Sequence, residues 1–291
     1  SRLACTEESL DGFLTGGSIG PNSPPMNTTI KSTCDGTPVW VRGDGPTVIF
    51  IHGVLMDHRM WAPQVDALCG RYRTCCFDML GHGRAPDPAG ERLLGDFVTQ
   101  AHHVVEQFSD AGPPVLCGFS MGGLIAQAYA ARHHERLAGL ILLNTVHDRS
   151  PEEAETVLAR FQGNVTGGVE HAVASGTQRW FTRNDHARQP SVIAAVQQWM
   201  RDGDFAAKRK AHRVFVSSDG EVTGKLAALS CPCLIMTGER DGGSTPAMAQ
   251  KMARAIPDSE LHILDDQHHM MPTLAADRVN RIILAFLARH T

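Results

Sequence analysis

Residues Val115 to Ala130 constrain this chain more than any other stretch. An apolar β-type run, Val115 to Cys117, meets Gly118-Phe119-Ser120-Met121-Gly122 and passes into a small-residue helical pattern. Glycine at 118 and 122 leaves room where a Cβ would not fit, so the chain can turn from strand to helix almost at once. A turn that tight predicts a strained Ser120 with its hydroxyl exposed. It also aims the first N–H groups of the following helix at the same point, where they favour negative charge.

The segments around this turn alternate between two periods. Thr47 to Ile51 and Leu137 to Leu143 are continuous apolar runs, as expected for strands covered on both faces. Pro38 to Arg42, Arg73 to Phe77, Cys233 to Met236 and Leu261 to Leu264 read as further strands. Helical patterns lie between them, through Trp61, Val65 and Leu68, over Leu93 to Phe108, after Thr245-Pro246, and over Leu274 to Ala288. Alternation of this kind predicts an α/β fold, a mostly parallel central sheet flanked by helices. Ligand chemistry in such sheets gathers at the carboxyl ends of the strands. His52, Asp78, Ser120 and Asn144 all fall there.

From His147 to about Leu226 the β-type runs stop, and the segments are helical and rich in Ala, Gln, Arg and Glu. That is too long for a connecting loop, so we expect a helical cap over residues 147–225, inserted into a core made of 36–146 and 226–291. Residues 1–35 are rich in Gly, Ser, Pro, Asn and Thr and read as a loose arm, with a short strand near Thr28 to Ser32.

The composition narrows the classes of function. The chain has 291 residues, 42% hydrophobic and 20% charged, with a net charge of −4, which fits a folded globular protein and offers no basic surface for nucleic acid. No apolar run is long enough to cross a bilayer, so no membrane partner is expected. Residues 1–30 lack the basic-then-apolar pattern of a secretion signal. None of the eight cysteines has zinc-ligand spacing beside suitably placed histidines, so we expect reduced thiols, a cytoplasmic location and no metal or organic cofactor.

A serine hydroxyl needs a base within hydrogen-bond reach, and that base needs an orienting carboxylate. On a strand-turn-helix scaffold of this type the chain order is Ser, acid, His. Asp241 follows the strand Cys233 to Met236, ahead of Asp148, Glu239 and Asp78 as the acid. His268 and His269 follow the last strand, and only one of the pair can face Ser120; His269 is the expected base. The Met121 N–H, together with one from the His52-Gly53-Val54 loop, Val54 being the candidate, would form an oxyanion hole.

In order, His52-Gly53, Asp78 with Gly81-His82-Gly83, Gly118-Phe-Ser-Met-Gly-Gly123, Gly238-Glu-Arg-Asp241 and His269 match the landmarks of the α/β-hydrolase-fold serine hydrolases. From about residue 38 onward the chain resembles that family, most of all the branch of 3-oxoadipate enol-lactonases and small carboxylesterases. Arg179-Trp180-Phe181-Thr182 is similar to a stretch of those lactonases, which implies substrate contacts for Trp180 and Phe181, with His52 a third candidate. Leu55 stands where many relatives have a second glycine, and His268 where a glycine usually precedes the histidine. The resemblance implies cleavage of a small carboxylic ester or lactone, carboxylated or apolar, through an acyl-enzyme on Ser120. C–C or amide hydrolysis, acyl transfer, and a non-catalytic ligand receptor are the alternatives.

Overall fold

The computed structural model describes residues 28–291. Eight strands form one sheet: β1 (Thr29–Ser32), β2 (Pro38–Arg42), β3 (Thr47–Ile51), β4 (Arg73–Phe77), β5 (Val115–Phe119), β6 (Gly139–Leu143), β7 (Cys233–Gly238) and β8 (Ser259–Leu264). They lie in the order β1-β2-β4-β3-β5-β6-β7-β8. β1 pairs antiparallel with β2, and β2 with β4; every pairing from β4 onward is parallel. The fold is therefore α/β, with the mostly parallel sheet that the alternating pattern predicts.

Burial follows the hydrophobic runs. Every residue of β3, β5, β6 and β7 is buried, because helices cover both faces there. α1 (Ala62–Leu68), α2 (Leu94–Gln107), α3 (Met121–His133), α8 (Pro246–Ala255), the short α9 (Met271–Leu274) and α10 (Ala276–His290) supply that cover. α3 is buried on nearly all sides, so it shows none of the one-sided apolar stripe of a surface helix. β8 and α10 both begin two residues away from where the sequence pattern starts them, since helix and strand ends are set by hydrogen bonds that reach into flanking loops. Part of the N-terminal segment read as loose is ordered: Thr29 to Ser32 pair with Pro38 to Val41. Residues 1–27 lie outside the described part.

Between β6 and β7 run four helices, α4 (Pro151–Trp180), α5 (Arg183–Arg188), α6 (Pro190–Arg201) and α7 (Phe205–Ser217). α4 starts with a capping box, Ser150 accepting from the Glu153 N–H and Glu153 accepting from the Ser150 N–H. It is broken at Gly168, whose φ of 71° and ψ of −165° are not helical. Among the described residues no helix is long and apolar enough to cross a membrane.

Candidate active site

Ser120 sits between β5 and α3 with φ 54° and ψ −115°, in the left-handed region where a non-glycine residue is strained. Its neighbours hold it there. Its N–H donates to Leu143 O at 2.9 Å, and its carbonyl accepts from Thr145 Oγ1 at 2.7 Å. A Cβ on Gly118 would overlap Gly122 O, and one on Gly122 would overlap Ile51 O, so both positions of the turn need glycine.

The last two strands bring the other polar groups to the same edge. His269 Nε2 lies 3.1 Å from Ser120 Oγ, and His269 Nδ1 lies 2.7 Å from Asp241 Oδ2. With the Asp241 carboxylate as acceptor, Nδ1 carries the proton and Nε2 is free to accept from the serine hydroxyl. Phe119 and Trp180 flank the imidazole, with ring centroids at 4.9 and 5.6 Å, and the Trp180 ring is stacked on it. Asp241 is buried and accepts three more hydrogen bonds, from the Gly243 and Ser244 N–H groups and from Asn144 Nδ2, each at 2.9 Å. Burial by itself would raise its pKa; the charge and hydrogen bond of His269, the Ser244 N–H and the Asn144 amide outweigh that, and it lies below the usual carboxylate value.

The rival acids are engaged elsewhere. Asp148 pairs with Lys251 at 3.1 Å, and Glu239 accepts from the Asp266 N–H at 3.1 Å. Asp78 accepts from the His58 N–H and Nδ1, both at 2.8 Å, and from the Arg84 N–H at 2.9 Å. Asp57, His58 and Asp78 could each offer one ligand atom to a metal ion. Protein donors already occupy the carboxylates, since Arg59 binds both oxygens of Asp57.

Ser120, His268 and His269 line a cavity of about 240 Å³. Val54, Leu55, Trp180, Met200 and Phe215 make its apolar side. The N–H groups of Val54 and Met121 have no hydrogen-bond partner among the described residues, as an oxyanion hole would need. Two of the expected substrate contacts are corrected. His52 is fully buried away from the cavity, donating from Nδ1 to Gly53 O at 2.8 Å and accepting the Met79 N–H at 2.9 Å; burial, the first cause, holds its pKa below the usual value. Phe181 packs against the His186 ring and does not line the cavity. A buried loop histidine and an aromatic beside a helix end satisfy local packing first, which no pattern of residue types reveals.

Sequence reasoning assigned no role to four other polar groups. Asn144, at φ 45°, bridges Asp241 and the His268 carbonyl. Its position at the end of the strand between β5 and β7 was the available signal. Arg160, Arg179 and His212, from α4 and α7, line the cavity. Arg179 donates from Nε to Ser175 O at 3.1 Å and stacks on Trp180, and neither arginine has a carboxylate partner among the described residues. Burial, then the charge of Arg160, pushes the Arg179 pKa down to about 10. The buried His212 has an unpartnered Nδ1, and burial followed by the Arg179 and Arg149 charges pushes its pKa down to about 4, so it is neutral.

Several known proteins of this shape carry hydrolase, esterase or lactonase names. Residues 48–282 match the model of the alpha/beta hydrolase family. The chain is 28% identical over 246 residues to an (E)-2-((N-methylformamido)methylene)succinate hydrolase from Acinetobacter baylyi, covering 84% of this chain and 92% of that protein. The malate-bound thermophilic esterase from Thermogutta terrifontis superposes with a TM-score of 0.79 at 28% identity, over 91% of this chain and 99% of that one. An enol-lactonase from Burkholderia xenovorans gives a TM-score of 0.79 at 26% identity, over 89% and 100%. The chain therefore belongs to the alpha/beta hydrolase family, in the branch it shares with esterases and enol-lactonases.

Proposed function

We propose that this chain is a serine hydrolase that cleaves a small ester or lactone carrying an anionic group, through an acyl-enzyme on Ser120. The hydrogen-bonded row Ser120 Oγ, His269 Nε2, His269 Nδ1 and Asp241 Oδ2 carries the reading. Ser120 attacks the carbonyl while His269 takes its proton, and Asp241 stabilises the imidazolium that forms. The Val54 and Met121 N–H groups receive the oxyanion. Protonated His269 then passes its proton to the leaving oxygen, and a water activated by the same ring releases the acid.

The anionic group is suggested by the guanidinium groups of Arg160 and Arg179 at the cavity, which have no carboxylate partner among the described residues. A half-buried cation without a carboxylate partner is poorly compensated, and a carboxylate offers it two parallel hydrogen bonds. The relatives support this direction: one is a hydrolase of a succinate derivative, and a solved esterase is malate-bound. The test is turnover of p-nitrophenyl esters, lactones and enol-lactones beside a Ser120→Ala control. The expected loss of kcat in that variant is about 10⁴- to 10⁶-fold, together with loss of fluorophosphonate labelling. Turnover surviving in Ser120→Ala would end the acyl-enzyme mechanism.

A further inference from the structure

Lys208 on α7 is 1% exposed and has no carboxylate within ion-pair distance among the described residues. Its Nζ faces three backbone carbonyls instead: Trp199 O at 2.8 Å, Leu55 O at 3.4 Å and Met200 O at 3.5 Å. Two of these belong to the last turn of α6, where unpaired carbonyls concentrate negative charge. The third belongs to the loop that follows β3. An ammonium group has three N–H donors, so all three are in use.

Leu55 is the residue this contact reaches, and its backbone is unusual. It has φ +67°, inside a turn closed by the Met56 N–H donating to Gly53 O at 3.1 Å. A positive φ at the third position of a turn favours glycine, so leucine there is strained and needs outside support. Its N–H donates to His82 Nε2 at 3.1 Å. His82 lies 3.2 Å from Leu80 O through Nδ1, which fixes Nε2 as the acceptor; burial, with His52 and Lys208 adding to it, keeps the ring neutral. Leu55 is thus gripped at its N–H by the core and at its carbonyl by the inserted helices.

We propose that Lys208 is a positioning residue: by holding the Leu55 carbonyl from the helical insertion, it keeps the Gly53–Met56 turn in the conformation that leaves the Val54 N–H free for the oxyanion. This rests on the acyl-enzyme reading above, with Val54 as an oxyanion donor. It makes seating of the insertion and completion of the oxyanion hole one event. A stability role does not account for the residue. Burial pushes its pKa down to about 8, against the pull of Asp57, Asp202 and Asp78 and with the repulsion of Arg59. Below that pH the folded protein holds a charged group that would be better solvated in the unfolded chain, so the ammonium costs stability at neutral pH.

The test compares the parent protein with Lys208→Met, which keeps most of the length of the side chain and removes the charge. With p-nitrophenyl acetate at pH 7, kcat should fall about tenfold, with KM within twofold and a melting temperature equal to or above that of the parent. The parent's kcat should also decline above pH 8 as the ammonium loses its proton, and the variant should lack that decline. Asp57, Arg59, Asp78, Asp202 and His82 face the amine from the neighbouring elements, and Lys208→Met retains all of them, so a decline present only in the parent belongs to Lys208. An unchanged kcat in Lys208→Met overturns the proposal, and so does a parent profile flat from pH 7.5 to 10, a measurement that needs no variant to fold. Ser120→Ala run in parallel separates the failures. If it is active, the acyl-enzyme reading falls; if it is inert while Lys208→Met is unimpaired, only the positioning role falls.

Discussion

Around Asp241, four hydrogen bonds from His269, Asn144, Gly243 and Ser244 are complete before any substrate arrives. Across the cavity, Arg160 and Arg179 have no carboxylate partner among the described residues, and His212 Nδ1 has no hydrogen-bond partner. The first region is held by strands buried on both faces and by glycines that allow no wider spacing. The second stands on helices, one of them broken at Gly168. The contrast teaches which groups are set by the protein and which are left for a ligand to satisfy. Donors fixed in advance need no reorganisation when charge develops, whereas half-buried cations without a carboxylate partner gain most when an anion binds.

If the strand edge holds the chemistry, the two adjacent histidines must differ greatly. His269→Ala should lower kcat by about 10⁴- to 10⁶-fold, while His268→Ala should cost less than about tenfold, measured on the same ester. Equal losses would break the division between the two rings. The insertion is probed by Arg179→Met. KM for p-nitrophenyl hemisuccinate should rise about 10- to 100-fold, the loss of one charged hydrogen-bonded contact, while p-nitrophenyl butyrate changes less than about threefold. Equal effects on both esters would mean that Arg179 packs and does not select.

The smallest effect separates holding from catalysis within the strand edge. Asp78 is buried there, and the hydrogen bond and charge of His58, the His52 charge and the Arg84 N–H overcome burial and lower its pKa to about 2. Its folded value lies below the unfolded one, near 3.9, so its contribution is present above pH 4 and is lost as pH falls toward 2. Between pH 5 and 2 the parent should lose about 2 kcal/mol relative to Asp78→Asn, read from melting temperatures. A stability difference constant over that range would refute the assignment.

The strands, the turn at Ser120 and the order of Ser120, Asp241 and His269 could be read from residue types, because each rests on local physics. Continuous β-branched and apolar runs make doubly covered strands, and only glycine allows Gly118 and Gly122 to approach Gly122 O and Ile51 O. Chain order then puts polar residues at strand ends on one edge. Tertiary structure alone sent His52 and Phe181 away from the cavity, and turned Arg179, His212 and Lys208 inward from helices that look ordinary in sequence. Which face of a helix is buried depends on what packs against it, and a cation turned toward a carbonyl or a cavity has no signature in the residues beside it along the chain.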